Sequence, residues 1–164
     1  MLFELIKQSK SPISASALSK TLGVSRQVVV GDVALLRAEG SEIIATAQGY
    51  MLSGFVTPNQ FKGRLACRHS ASDAKTELYI IVDSGAVVVD VVVEHEIYGE
   101  ISGQLNLRDR NDVDVFIAKV ESSKIGLLSE LTAGMHLHTV ACRDMAHYDD
   151  LRRALDSAGF LMSE

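Results

Sequence analysis

Residues 134–142, "GMHLHTVAC", place two of the chain's five histidines one residue apart in an otherwise apolar run. Such a run predicts a β-strand, and because successive side chains of a strand point to opposite faces, His136 and His138 share one face. They are expected to lie about 6.6 Å apart along the strand, so both imidazoles can lean onto one divalent cation. The stretch therefore predicts a metal site on a sheet.

The segments around this strand predict a domain with the order β-α-β-β-α-β-α over residues 57–164. In "FKGRLACRH", apolar and basic side chains alternate, which indicates a first strand with one solvent-exposed face. The runs "AVVVDVVVEH" and "YGEISGQL" are typical of two further strands. Helical spacing of apolar residues predicts three helices, in "SASDAKTELYIIVDSG" with serine caps, "RNDVDVFIAKVESS" and "HYDDLRRALDSAG".

Two further ligands for the predicted metal come from the start of this domain. In two-layer sheets with this element order, the first and last strands pair antiparallel, which brings His69 near His136. Glu77 follows about two helical turns later, and its spacing from Ala74 and Ile81 places it at the border of the core-facing stripe. Three imidazoles and a carboxylate suit zinc, nickel or iron, and ligand softness alone does not choose among them.

Other interpretations of these residues stay open at this stage. A pair of histidines one residue apart is also typical of an exposed strand face. Cys67 points to the same side as His69, and Cys142 to the same side as His138, so a thiolate-containing site is a lower-ranked alternative. His147 begins the last predicted helix and is interpreted as a side chain of its N-terminal cap region.

The first third of the chain has the layout of a winged helix-turn-helix, three short helices followed by a two-stranded ribbon. The helices are predicted in residues 2–10, in "ASALSKTLG" with Ser14 as its cap, and in "RQVVVGDVALLRAEG" with Ser25 as its cap. The ribbon is "EIIATAQGYMLS", with a turn at Gln48 and Gly49. We place the domain boundary near residue 57, giving domains 1–56 and 57–164.

Candidate DNA contacts lie mainly at the start of the third helix, which in this motif meets base edges. Arg26 and Gln27 can make bidentate contacts to guanine and adenine, respectively. Ser25 can meet a phosphate at the positive end of the helix. The remaining candidates are backbone contacts and a wing contact, namely Lys20, Arg37 and Tyr50.

The charge distribution confines nucleic-acid binding to this first third. The net charge is −5, but residues 1–55 carry five basic and four acidic side chains, whereas the rest of the chain carries eleven basic and seventeen acidic ones. An acidic surface is a poor electrostatic match for DNA. No apolar run is long enough for a membrane span, no signal peptide is expected, and two cysteines form no disulfide framework, which together favour a cytoplasmic protein.

The motifs "CRHS", "DSGAVVVDVVVEHEIYGEI" and "GMHLHTVAC", in that order behind a winged helix, resemble those of a known family. The chain is similar over nearly its whole length to niacin-responsive transcriptional repressors of NAD biosynthesis and niacin uptake genes, in which a three-histidine (3H) domain follows the DNA-binding domain. The resemblance implies an α+β, two-domain protein whose second domain has the βαββαβα layout of the histidine-containing phosphocarrier fold.

The resemblance also implies roles for particular residues. His69, Glu77, His136 and His138 stand where the family binds a divalent metal. Nicotinic acid is the implied co-repressor, and operator double-stranded DNA and a second copy of the chain are the implied partners. His95 corresponds to a further signature histidine, which with Tyr98 is a candidate for effector binding. The family pattern has proline after this histidine, and here the residue is glutamate.

A rival hypothesis from another functional class is a metal-dependent hydrolase, in which Glu77 or His95 would act as general base beside a metal-bound water. The sequence lacks an HExxH motif, a nucleophile elbow and a P-loop, which weighs against this hypothesis. A third hypothesis is a purely structural zinc site without a sensing role.

Overall fold

The computed structural model describes residues 1–53 and 60–162. It divides into two compact units, Met1–Thr57 and Pro58–Glu164, and the boundary predicted near residue 57 lies outside the described residues. The first unit has three helices and a two-stranded sheet, and the second combines a four-stranded sheet with helices. The predicted α+β, two-domain class is thus confirmed.

The first unit has the element order of the predicted winged helix-turn-helix. Its elements are α1 (Leu2–Gln8), α2 (Ala15–Leu22), α3 (Arg26–Ala38), β1 (Ile43–Thr46) and β2 (Gly49–Leu52). Both predicted serine caps form, because the side chain of Ser14 accepts a hydrogen bond from the N–H of Ala17, and that of Ser25 from the N–H of Val28. The caps fix where α2 and α3 begin, and so place Arg26 and Gln27 in the first turn of α3.

A small apolar core holds the three helices and the ribbon together. Ile6, Leu18, Val29 and Val33 are almost fully buried in it, as the helical spacing predicts. The ribbon is tied to the segment before α2, since the backbones of Ile13 and Tyr50 exchange hydrogen bonds of 2.9 and 2.8 Å.

The structure corrects two details of this unit. The two central residues of the ribbon turn are Ala47 and Gln48, while Gly49 already begins β2 opposite Thr46. Gly49 is needed there for another reason. Its φ is +139°, and a Cβ at this position would lie 2.3 Å from the carbonyl oxygen of Ile13. Helix α1 is also shorter than predicted, since it ends at Gln8.

The second unit has the predicted order β-α-β-β-α-β-α. Its elements are β3 (Phe61–Arg68), α4 (Ala74–Asp83), β4 (Val87–His95), β5 (Gly99–Leu107), α5 (Arg110–Ser122), β6 (Met135–Cys142) and α6 (Met145–Ser157). Short 3-10 helices, Ala71–Asp73 and Leu128–Thr132, precede α4 and β6. In the described ranges, no helix is long and apolar enough to cross a membrane.

The sheet of the second unit has the strand order β3-β6-β4-β5, with every neighbouring pair antiparallel. The first and last strands are therefore neighbours, as predicted. Their register places Cys67 opposite His136 and Leu65 opposite His138. Side chains at these positions are buried, whereas the intervening ones on β3 are exposed, so both histidines lie on the inner face of the sheet.

The start of α4 differs from the prediction. Serine caps were expected there, but the N-cap residue is Asp73, whose side chain makes no capping hydrogen bond, and Ser70 precedes the 3-10 helix instead. Because the α-helix begins only at Ala74, Glu77 lies in its first turn rather than about two turns in. This position is close to the end of β3, where His69 follows the strand.

Candidate metal centre

Glu77 is the centre of a buried polar cluster in the second unit. It lies in the first turn of α4 and is only 1 % exposed, among apolar neighbours on the same helix such as Leu78 and Ile81. An ionised carboxylate in such a place is very costly unless it is paired with positive charge or a metal ion. The residues around Glu77 therefore decide what this site does.

Three histidines approach the carboxylate of Glu77 through their Nε2 atoms. The distances are 2.5 Å from His69 to Oε2, 3.3 Å from His136 to Oε1, and 3.5 Å from His138 to Oε2. The residues come from the end of β3, from α4 and from β6. The structure thus brings together the four residues that the sequence predicts as metal ligands.

The other ring nitrogen of each histidine faces a backbone carbonyl. His69 Nδ1 lies 2.8 Å from the oxygen of Ser70, His136 Nδ1 lies 2.9 Å from that of Gly134, and His138 Nδ1 lies 2.7 Å from that of Asp90. A carbonyl oxygen only accepts hydrogen bonds, so each Nδ1 carries a hydrogen and donates it. Each Nε2 is left to bind either a proton or a metal ion, which is the tautomer seen in metal-binding histidines.

The charges of the cluster favour a cation at its centre. Burial alone would raise the pKa of Glu77, but hydrogen bonds from His136, His138 and His69 outweigh it and hold the pKa far below its usual range. Burial alone would lower the pKa of His69 and of His138, but the hydrogen bond and the charge of Glu77 raise both. Without metal, protons on these imidazoles balance the carboxylate.

The donor set also fits a divalent transition metal in size. Ligands bound to one zinc ion with bonds of about 2.1 Å at tetrahedral angles stand about 3.4 Å apart. The separations of His136 and His138 from Glu77 Oε2 are 3.4 and 3.5 Å, close to that value, whereas His69 lies 2.5 Å from the same oxygen and would have to move outward on metal binding. Imidazole and carboxylate are ligands that zinc, nickel and iron accept.

A pH-dependence follows from the raised pKa values of His69 and His138. In metal-free protein, their pairing with Glu77 contributes stability that is fully present below the unfolded-state pKa, about 6.5, and is lost as pH rises through the raised folded-state pKa. We expect the free energy of unfolding of the chelated protein to fall from pH 6 to pH 8. Metal affinity should rise over the same range, because the ion competes with protons. Urea unfolding at several pH values, with and without chelator, measures both trends. If the free energy of unfolding changes with pH by the same amount in the metal-bound and the chelated protein, both expectations are contradicted.

Cys67, which the sequence analysis considered only as part of a lower-ranked thiolate-containing alternative, is a further member of the cluster. Its Sγ, one oxygen of Glu77 and one ring nitrogen of His136 all lie within 4.8 Å of one another. Burial, followed by the charge of Glu77, raises the pKa of the Cys67 thiol, so the metal-free site holds it protonated. The period of two in β3 predicts the face on which Cys67 lies, whereas its position opposite His136 follows from the β3–β6 register.

Gly134 shapes the backbone beside the metal ligands. Its φ is +88°, and a Cβ there would lie 2.3 Å from the carbonyl oxygen of His69. Its own carbonyl accepts hydrogen bonds from His136 Nδ1 and from the N–H of His69. No residue with a side chain fits this close approach without moving one of the two histidines.

We therefore expect Gly134→Ala to destabilise the domain by about 3 kcal/mol and to weaken metal binding. Gly159→Ala is the matched control, because Gly159 also has a positive φ, +77°, but open space where a Cβ would be. In the control variant, the free energy of unfolding should fall only by the conformational strain of the new side chain, about 1–2 kcal/mol, and metal affinity should not change. Equal effects of both changes on metal affinity would show that the close approach is unimportant.

The predicted DNA contacts all lie in the first unit. Arg26 and Gln27 are exposed at the N-terminus of α3, directly after the Ser25 cap. Lys20 and Arg37 are exposed in the last turns of α2 and α3. Tyr50 differs, because it is half-buried and packs against the core of the unit from β2.

The predicted effector residues lie in the hairpin between β4 and β5. His95 Nδ1 accepts hydrogen bonds from the N–H groups of Ile97 and Tyr98, at 3.1 and 3.4 Å. The rings of His95 and Tyr98 are 5.2 Å apart, and Tyr98 is largely exposed. His95 therefore stabilises the turn after β4, and effector binding by either residue stays a prediction.

Comparison with known proteins identifies both units. Residues 62–164 match the 3H domain, and residues 2–51 match an HTH domain. The chain belongs to the 3H domain family. The four predicted metal ligands lie within the matched 3H domain, and the exposed residues of α3 lie within the matched HTH domain.

Two relatives of known class extend over nearly the whole chain. The transcription repressor NadR of Bacillus subtilis (strain 168) is 39% identical over 161 residues, which cover 97% of this chain and 89% of the relative. The probable transcription repressor NiaR of Thermotoga maritima is 38% identical over 160 residues, covering 98% and 90%. This 3H-domain protein is thus a DNA-binding regulator of transcription and not an enzyme, which excludes the hydrolase hypothesis.

Proposed function

We propose that the chain represses genes of NAD biosynthesis and niacin uptake, with nicotinic acid as co-repressor and a divalent metal in the 3H domain. The observation that carries this proposal is the convergence of three imidazole Nε2 atoms on buried Glu77, in a chain that begins with a DNA-binding domain. The names of the two relatives support the repressor class. The DNA partner supports the predicted cytoplasmic location.

The metal would be held by His69, Glu77, His136 and His138, and zinc, nickel and iron all suit this set. When bound, such an ion supplies a Lewis-acidic centre that attracts a carboxylate or a pyridine nitrogen. The chain's own part is to keep every Nε2 available, through the three hydrogen bonds from Nδ1 to backbone carbonyls.

A cleft beside the cluster supports effector binding at this end of the domain. It has a volume of about 590 Å³ and is lined by His69, Arg68, Ser70, Ser129 and Gly134, among others. Nicotinic acid offers a carboxylate that the Arg68 guanidinium can pair with. The half-buried His95 and the exposed Tyr98 of the hairpin are the alternative contacts.

Regulation requires that the effector bind the DNA-competent state more tightly than the other state. We propose that this state is a homodimer whose two α3 helices meet half-sites about 34 Å apart, or a multiple of that distance. A coupling free energy of about 1–3 kcal/mol between effector and operator would change either affinity by roughly 5–150-fold.

Operator binding at fixed salt tests the proposal. We expect nicotinic acid and metal together to raise operator affinity by roughly 5–150-fold, and benzoic acid, which lacks the pyridine nitrogen, to raise it less. Unchanged affinity would contradict regulation by niacin. If chelation unfolds the 3H domain while nicotinic acid leaves both unfolding and operator affinity unchanged, the metal is structural only.

A further inference from the structure

Cys67 occupies an inner position of β3 that is continuous with the cluster around Glu77. Its side chain is 0 % exposed, and its partner in the β3–β6 register is His136. Residues directly opposite in an antiparallel pair hold their Cβ atoms about 4.5–5.5 Å apart on the same face of the sheet. The side chain of Cys67 therefore lies on the same face of the sheet as His136 and His138, next to the site.

The Sγ atom of Cys67 has little to bind other than the cluster. Its hydrogen-bond acceptor on β3 is the Leu65 carbonyl oxygen at 4.0 Å, a long and weak contact. By contrast, a ring nitrogen of His136 and an oxygen of Glu77 lie within 4.8 Å of it and of each other. The side chain thus points its sulfur toward the ligands.

The distances approach those of a shared ion. A sulfur ligand bonds zinc at about 2.3 Å and a nitrogen or oxygen ligand at about 2.1 Å, so at tetrahedral angles these two donors of one ion stand about 3.6 Å apart. The donors of Cys67, Glu77 and His136 lie within 4.8 Å of one another. Each pair therefore has to close by about 1.2 Å at most, a movement that rotation about side-chain torsions can supply.

We propose that Cys67 is a sulfur ligand of the cation that binds at Glu77 and the three histidines. The inference rests on the proposed metal site and adds a soft donor to it. On binding, the S–H bond breaks, a sulfur–metal bond forms, and the proton leaves to solvent, with no change in oxidation state. A thiolate selects zinc, nickel or cobalt over magnesium and manganese, so the site is assigned to this class of metal.

Cys142 provides a matched control within the same domain. It is buried like Cys67, but it lies at the far end of β6, where it pairs with Phe61 rather than with a residue of the cluster. Replacing it by serine removes one buried thiol without touching the ligands around Glu77.

The test uses Co²⁺ bound to the full chain, because a thiolate ligand gives cobalt a ligand-to-metal charge-transfer band in the near ultraviolet. We expect the band in the wild-type protein and in Cys142→Ser, and its complete loss in Cys67→Ser at equal bound cobalt. X-ray absorption at the cobalt edge of the wild-type protein needs no variant, and should show a sulfur neighbour at about 2.3 Å.

Cobalt bound without the band and without a sulfur neighbour overturns the assignment of Cys67 and leaves the four-ligand site standing. A band that persists in Cys67→Ser overturns it too. If the wild-type protein binds no cobalt, nickel or zinc, both this inference and the metal part of the proposed function fail.

Discussion

Replacing Glu77 by glutamine is expected to lower metal affinity by more than about 100-fold. Residues that only hydrogen-bond to metal ligands already contribute 10–100-fold, and Glu77 is the only charged group that the three histidines share in the described cluster. The amide keeps the size of the side chain but removes the negative charge and half of its acceptor capacity. Isothermal titration with zinc or nickel measures the change.

The same substitution should lower the stability of the metal-free 3H domain by about 3 kcal/mol, because it breaks a buried ion pair and leaves the imidazoles without a counter-charge. The control is Glu121→Gln on α5, which also removes one negative charge from the domain but lies at an exposed position. Metal affinity that stays within a few-fold of wild type in Glu77→Gln would falsify the proposed ligand set.

Arg26→Ala and Gln27→Ala are each expected to weaken operator binding by roughly 5–150-fold, which corresponds to about 1–3 kcal/mol for one bidentate base contact. Both side chains are exposed at the N-terminus of α3, whose start is fixed by the Ser25 cap. Because these contacts read bases, affinity for non-specific DNA should fall much less. Fluorescence anisotropy with both DNAs at several salt concentrations measures the effect.

Comparison with other basic residues of the same unit separates base reading from simple charge attraction. Lys20→Ala and Arg37→Ala should weaken binding to both DNAs alike and reduce the salt slope by about one. Lys7→Ala removes an exposed charge from α1 and serves as the control outside the predicted contacts. If Arg26 and Gln27 behave like Lys20, α3 does not read sequence in the proposed way.

Much of the candidate site could be predicted because its ligands follow regular periods. The two-residue period of β6 puts His136 and His138 on one face, and the element order makes β3 its neighbour. Glu77 was found from its helical spacing, although the α-helix begins later than expected. The first turn of α4 is preceded by a 3-10 helix. Where that helix starts depends on local hydrogen bonds, which the spacing of apolar residues does not encode.

Cys67 illustrates what such reasoning leaves open. Its face was predicted, but it was judged together with Cys142, which lies too far along the strand. Only the register shows that Cys67 stands opposite His136 while Cys142 stands opposite Phe61. A register shifted by one or two residues would have placed a different residue of β6 opposite Cys67.

The amino-acid sequence by itself determined the two domains, the element order and the identity of the four predicted metal ligands, because periodicity and residue chemistry are local properties of the chain. The tertiary structure alone decided which ring nitrogen of His138 is free, since its Nδ1 faces the carbonyl oxygen of Asp90 on another strand. It also brought Cys67 within reach of Glu77. Both are consequences of backbone segments distant in sequence meeting at fixed distances, which only packing of the whole domain establishes.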